Sequence, residues 1–404
     1  MDFDSSDDYF TSRKKIKVPQ GPCPYIHTVN RFNIDFDFEK VCSVTLSNTN
    51  VYACLVCGKY FQGRGKASPA YVHSVEAVHH IFINLSDERF WCIPEDYEIF
   101  HASLDDIKVN LNPRYNSREV KSFPCSALSL TGSEFIPGIM GLNQIKADSY
   151  FNATVHALCA VDSLRNFFLL YSGEGRLTKS LSELLRKMSN PKSFKGIVSP
   201  HEFLQAVSIS SKNQFSASYS DPGKFLTWLL PALQAEISTP EISRIFQGAT
   251  QSGRFLMLDI DLPVAPVFKT ESEFIPTVWI QDLLSRRFST DSIEKFPETL
   301  ILCFKRFVKN NFFKEKNSTI VRFPLENLDL SAYGSKAGRG DYSLVSMICH
   351  EGKAEEGHFR SFVLQRGRTH QWFECDGLRI KKQLSQSVAL VESYVQIWSR
   401  NDAS

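Results

Sequence analysis

Net charge is nearly absent from this chain. Its 46 Lys and Arg stand against 44 Asp and Glu, a formal net charge of +2 in 404 residues. No strong global field therefore draws it to nucleic acid or a membrane surface. Long apolar runs are missing too. No stretch suffices for a transmembrane helix, and residues 1–20 lack the apolar centre of a signal peptide. That polar segment carries the basic run Arg13-Lys14-Lys15-Ile16-Lys17, which reads as part of a solvated, disordered tail or, more sharply, as a nuclear import signal. No internal repeat or low-complexity tract stands out. The 10 cysteines supply one Cys-x-x-Cys pair, and Cys159, Cys303 and Cys349 lie singly in apolar segments. That suits buried free thiols in a reducing compartment and argues against a disulfide framework.

What is present is an ordinary globular composition, 43% hydrophobic and 22% charged, in a chain too long for one ordinary core. Two domains are expected, with the boundary between Leu111 and Pro137, a stretch holding Asn112-Pro113-Arg114, clustered Ser and Thr, and a Gly. The first domain carries a metal pattern. Cys54 and Cys57 form the Cys-x-x-Cys turn, and Gly58 permits its tight backbone. His73 comes sixteen residues after Cys57, and His79 six later. Two thiolates and two imidazoles suit one tetrahedral Zn²⁺, and a redox dithiol would have no need of the histidines. His80 rivals His79 as fourth ligand, because adjacent residues point apart and only one serves easily.

In the second domain, Val155, Leu158, Val161, Leu164, Phe167 and Phe168 recur at helical spacing over Ala153–Leu170. Tyr342 to His350 reads as a buried strand. Ser189–Phe194 and Ser208–Ser220 read as polar connections.

The segment Gly141-Leu142-Asn143-Gln144-Ile145-Lys146-Ala147-Asp148-Ser149-Tyr150-Phe151-Asn152 resembles the opening motif of ubiquitin-specific proteases, roughly Gly-Leu-x-Asn-x-Gly-Asn-Thr-Cys-Tyr-x-Asn. Further landmarks follow in the family's order: Asp221 to Leu230, Pro297 to Phe307, Phe323-Pro324-Leu325, Gly357-His358-Phe359, and Trp372 to Asp376. The resemblance covers about Gly138 to Arg400. It implies an α+β protein: a small zinc-stapled α/β finger over 21–118, then a papain-like ubiquitin-specific-protease fold over 138–404. Ser149 occupies the nucleophile position, Gln144 the oxyanion-donor position, His358 that of the base and Asp376 that of its orienting partner. A helix N-terminus favours a thiolate, but Asp148 beside it opposes an anion. A site shaped for sulfur aims a serine Oγ badly, and misplacement of about 1 Å costs on the order of 100-fold. The degenerate positions Gln144, Ser149, His358 and Asp376 thus imply a pseudoenzyme. The alternatives are a Ser149 hydrolase or a ubiquitin-binding adaptor.

Residues Cys23 to Phe100 resemble the ubiquitin-protease-type zinc finger. Members with a second metal use an upstream cysteine pair, a cysteine before Gly-Arg, and a histidine four positions ahead of the His73 equivalent. Here only Cys42 stands upstream, Gln62 precedes Gly63-Arg64, and Pro69 replaces the histidine. The second site is read as lost and Cys42 as a core thiol. Active proteases often hold another zinc between the Asp221 and Arg306 landmarks, where this chain has only Cys303. Ubiquitin binding is doubtful on both counts. Together the finger and the altered motif resemble the tri-snRNP-associated splicing-factor subfamily of inactive protease homologues. That resemblance implies a nuclear scaffold with one structural Zn²⁺, spliceosomal tri-snRNP proteins as partners, RNA contact indirect or unknown, and no membrane.

Overall fold

The computed structural model describes residues 23–145, 148–216, 220–263, 276–309, 314–334, 340–354, 357–367 and 370–401. The tail with its basic run and Lys146 lie outside the described residues. The chain divides into two compact units at Leu111/Asn112.

The first unit is built on an antiparallel sheet of five short strands: β1 (Val51–Cys54), β2 (Tyr60–Gln62), β3 (Ile81–Asn84), β4 (Phe90–Cys92) and β5 (Tyr97–Ile99), in the order β2-β1-β3-β4-β5. β1, β3 and β4 are buried along their whole length, which fits their β-branched and aromatic residues. Helix α1 (Pro69–Glu76) lies beside β2. Ser68 caps it by accepting from the Tyr71 amide, and Pro69 opens it, where a missing N–H costs nothing. A second helix, α2 (Asp105–Leu111), buries Ile107 and Leu111. Its Asp106 receives Arg31 through two bonds, Nε at 2.5 Å and Nη2 at 3.1 Å.

The second unit packs helices against an eight-stranded sheet. Its main path runs Leu258–Asp261, Thr299–Lys305, Ser393–Arg400, Asp341–Gly352, Gly357–Gln365, Gln371–Asp376 and Arg379–Gln383, and Leu328–Asp329 pairs beside Asp341–Gly352. Only the first pair on the path is parallel. Side-chain alternation explains the unbroken apolar run in Thr299–Lys305. Ile301 and Cys303 join the helix-side core, whereas Leu300, Leu302 and Phe304 join the core on the opposite face.

The helix-side core centres on α3 (Ser149–Cys159), all eleven of whose residues are buried. Protein surrounds it on every side, so even its polar Asn152, Thr154 and His156 are buried. It lies against the Gly357–Gln365 strand, and Ser346 Oγ donates to Ala157 O at 2.9 Å. Around it stand α4 (Asp162–Leu170), α5 (Arg176–Met188), α6 (His201–Ser210) and α7 (Pro222–Glu236). The continuous helical spacing over Ala153–Leu170 is in fact two helices. Val161 adopts an extended conformation, φ −80° and ψ 101°, between α3 and α4. Its side chain is buried, so core packing sets the break where no Pro or Gly marks one. Ser208–Ser210, read as connection, form the last turn of α6.

Candidate functional site

The finger's ligand candidates arrive from three elements. Cys54 ends β1, Cys57 lies on the following turn, His73 sits on α1, and His79 falls just before β3. Gly58 has φ +76°, and a Cβ there would stand 1.9 Å from Asn33 O, so the turn demands glycine. The four donor atoms lie within 4.8 Å of one another. Cys54 Sγ is 3.6 Å from His79 Nδ1, Cys57 Sγ 3.4 Å from His73 Nε2, and the two imidazole nitrogens 3.1 Å apart. Metal–ligand bonds of about 2.0–2.3 Å at tetrahedral angles give edges of roughly 3.3–3.8 Å, so the donor set fits zinc in type and size. The Cys57 thiol is pushed down, first by its hydrogen bond with Cys54, and the imidazoles of His79 and His73 also lower it. Phe61 stacks on His73 at 4.1 Å and fixes its ring. His80 instead packs against Tyr25, the rings tilted by 33° with centroids 4.0 Å apart.

The positions read as a lost second metal site hold hydrogen bonds instead. Cys42 Sγ accepts from the Val44 and Thr45 amides, each at 3.4 Å. Thr45 Oγ1 donates to Gln62 Oε1 at 2.9 Å, and Gln62 Nε2 donates to Ser47 Oγ at 3.0 Å. Cys42 itself is fully buried.

In the second unit, Gly141 and Leu142 are tied on one side to Gly196 O and on the other to Gly377 O, just past Asp376. This brings the α3 N-terminus to the ends of the His358 and Asp376 strands. Ser149 is buried, and its Oγ accepts the Phe359 amide at 3.1 Å. His358 Nε2 bonds Asp376 Oδ1 at 2.5 Å, and no hydrogen bond joins His358 to Ser149. Gln144 is exposed, and a Cβ on Gly377 would stand 3.9 Å from its Oε1. Asp148, fully buried, accepts the Ile145 amide at 3.1 and 3.2 Å. Burial pushes its pKa up to about 6, against the lowering by those amide bonds.

Several contacts among the landmark residues had no sequence signal. Asp221 caps α7 by accepting from Gly223 and Lys224, and the Tyr394 hydroxyl donates to both its oxygens at 2.7 and 2.8 Å. The two residues are 173 positions apart, and only tertiary packing joins them. The rings of Phe307, His350, Phe359 and Tyr394 pack together beside Ser149's partner Phe359, with centroids 4.8–6.0 Å apart. Arg306 is wholly buried, giving its bonds to the carbonyls of Ser393, Asn317 and Thr319.

Comparison with known proteins matches residues 140–398 to the family "Ubiquitin carboxyl-terminal hydrolase" and residues 42–104 to "Zn-finger in ubiquitin-hydrolases and other protein". The chain is similar to ubiquitin carboxyl-terminal hydrolase 39 of Mus musculus, at 39% identity over 94% of this chain and 80% of that one. It is similar to the probable mRNA-splicing protein ubp10 of Schizosaccharomyces pombe, at 35% identity over 93% of this chain and 88% of that one. A crystal structure of an essential yeast splicing factor superposes with a TM-score of 0.83 at 26% identity, covering 94% of this chain and 100% of the other.

Proposed function

The chain belongs to the ubiquitin carboxyl-terminal hydrolase family, and on that membership we propose that it is a pre-mRNA splicing factor that works without catalysis. In this reading it is a nuclear scaffold that promotes assembly or stability of the spliceosomal tri-snRNP, with tri-snRNP proteins as its partners. Relatives named as splicing proteins support the process. One arrangement carries the non-catalytic part. The hydroxyl at the nucleophile position is held by a backbone amide, and no hydrogen bond joins it to the imidazole at the base position. A serine needs a base aimed at Oγ and a donor waiting for the oxyanion. Here Oγ lacks the first, Gln144 replaces the second, and the Asp148 carboxylate stands next to the residue that would carry a negative charge.

The finger then serves as a scaffold, stapled by one structural Zn²⁺ on Cys54, Cys57, His73 and His79.

A fluorogenic ubiquitin substrate tests the reading. The purified chain gives no turnover above buffer, and Ser149→Cys alone does not restore it, since Asp148 and Gln144 remain. Turnover that disappears in Ser149→Ala would make the chain a serine hydrolase instead. Stoichiometric capture of intact ubiquitin without cleavage would make it a ubiquitin adaptor.

A further inference from the structure

The sheet of the second unit ends at Arg379–Gln383, which pairs with Gln371–Asp376 on one side. No strand pairs with its other edge among the described residues. The edge carries Arg379, Lys381 and Lys382 and no acidic residue, and no ion pair engages these three. Lysines on an edge strand discourage accidental pairing. They do not account for what lies beside them.

A cleft of about 700 Å³ opens on the same end of the sheet. Its floor is Phe373 and Ile380, and its wall is Phe135 from the hairpin of Ala127–Leu128 with Glu134–Phe135. That volume lies in the range of ligand sites, roughly 300–1,000 Å³. Two large apolar side chains at the cleft stay open to water, Ile197 at 40% exposure and Leu378 at 53%. Lys195 and Lys382 line it against a single carboxylate, Glu134.

We propose that this edge and cleft dock an extended, acidic segment of a partner protein. The segment adds a strand to Arg379–Gln383 and seats an apolar side chain between Leu378, Ile197 and Phe373. Main-chain pairing supplies affinity, and alternate side chains read the pocket beside it, as in other strand-addition complexes. Charge selects the partner: acidic residues alternating with the anchor fall on the other face of the added strand, where they meet Arg379 and Lys381. Aliphatic and phenyl walls suit a peptide anchor better than a nucleotide backbone. The cleft's Gly141 and Leu378 adjoin the Gly377 tie to the Ser149 site, but the proposal does not depend on the state of that site.

The test uses the full chain and a fluorescein-labelled synthetic peptide in which Asp and Glu alternate with Leu and Phe, about twelve residues long so that it outspans the strand. Anisotropy should give saturable binding, and hydrogen exchange should show new amide protection within 379–383. Lys381→Glu and Leu378→Asp, both at exposed side chains, should each weaken binding about tenfold or more. Lys179→Glu, on the exposed face of α5, should leave it unchanged. A peptide with Lys in place of the acids should not bind. Absent or unsaturable binding, wild-type affinity in both variants, or binding without protection of 379–383 would overturn the proposal. So would an oligouridine that binds through Lys381 where the acidic peptide does not, which would give the surface to RNA.

Discussion

Asp148 and His156 sit at opposite ends of the buried helix α3, and acid acts on them in opposite senses. His156 is fully buried, and neither ring nitrogen has a hydrogen-bond partner. Burial pushes its pKa from 6.5 down to about 4. Below about pH 6.5 the unfolded chain takes up a proton that the folded one refuses, so stability falls with pH until about pH 4, by roughly 3 kcal/mol. Asp148 works the other way. Its folded pKa of about 6 lies above the unfolded 3.8, so its charged form weakens the fold above about pH 6, and the penalty fades as pH falls toward 3.8. Urea unfolding between about pH 4.5 and 7.5 separates the two. His156→Leu should lose less stability on acidification than the wild type. Asp148→Asn should gain about 1–2 kcal/mol near neutral pH, with the gain shrinking toward pH 4. Equal slopes for His156→Leu and the wild type would show that the imidazole is hydrated in the fold.

At the scale of elements, the finger and the α3 site differ in how far apart their parts lie. Cys54, Cys57, His73 and His79 fall within 26 consecutive residues, and their types and spacing can be read along the chain. Structural zinc supplies folding energy directly, because the unfolded chain has no preformed site. Metal analysis should find one zinc per chain. Cys54→Ala, or a strong chelator, should abolish amide protection in β1 to β5 and leave the second unit's sheet protected; two tightly bound zincs would mean that the Cys42 positions still ligate. The α3 site has no such local record. The Phe359 amide that holds Ser149 lies 210 positions away, and the break at Val161 carries no sequence mark. Helical spacing persists through that break because the apolar residues of both helices enter the same core.

For the whole molecule, a scaffold depends on its surface and stability rather than on the old triad. In cells that depend on this protein, Ser149→Ala and His358→Ala should leave splicing intact. Depletion should lower assembled tri-snRNP and leave transcripts unspliced. Phe304→Ala should mimic depletion, since Phe304 is fully buried and its truncation costs about 3–5 kcal/mol of a marginal stability. The measurement is tri-snRNP sedimentation with intron retention. A folded Ser149→Ala protein that blocks splicing would refute the scaffold reading.

The amino-acid sequence alone set the family and the order of its landmarks, because motifs such as Gly141 to Asn152 and Trp372 to Asp376 are contiguous and carry local chemistry. It determined the altered nucleophile position for the same reason. Tertiary structure decided which hydrogen bonds those residues make. The Ser149–Phe359 bond, the Tyr394–Asp221 bond and the burial of Asp148 arise where segments far apart in the chain meet. The cleft beside Arg379–Gln383 likewise exists only once the Ala127–Phe135 hairpin stands over the sheet. Spacing along a chain records local geometry, and contacts between distant segments are set by how the whole core closes.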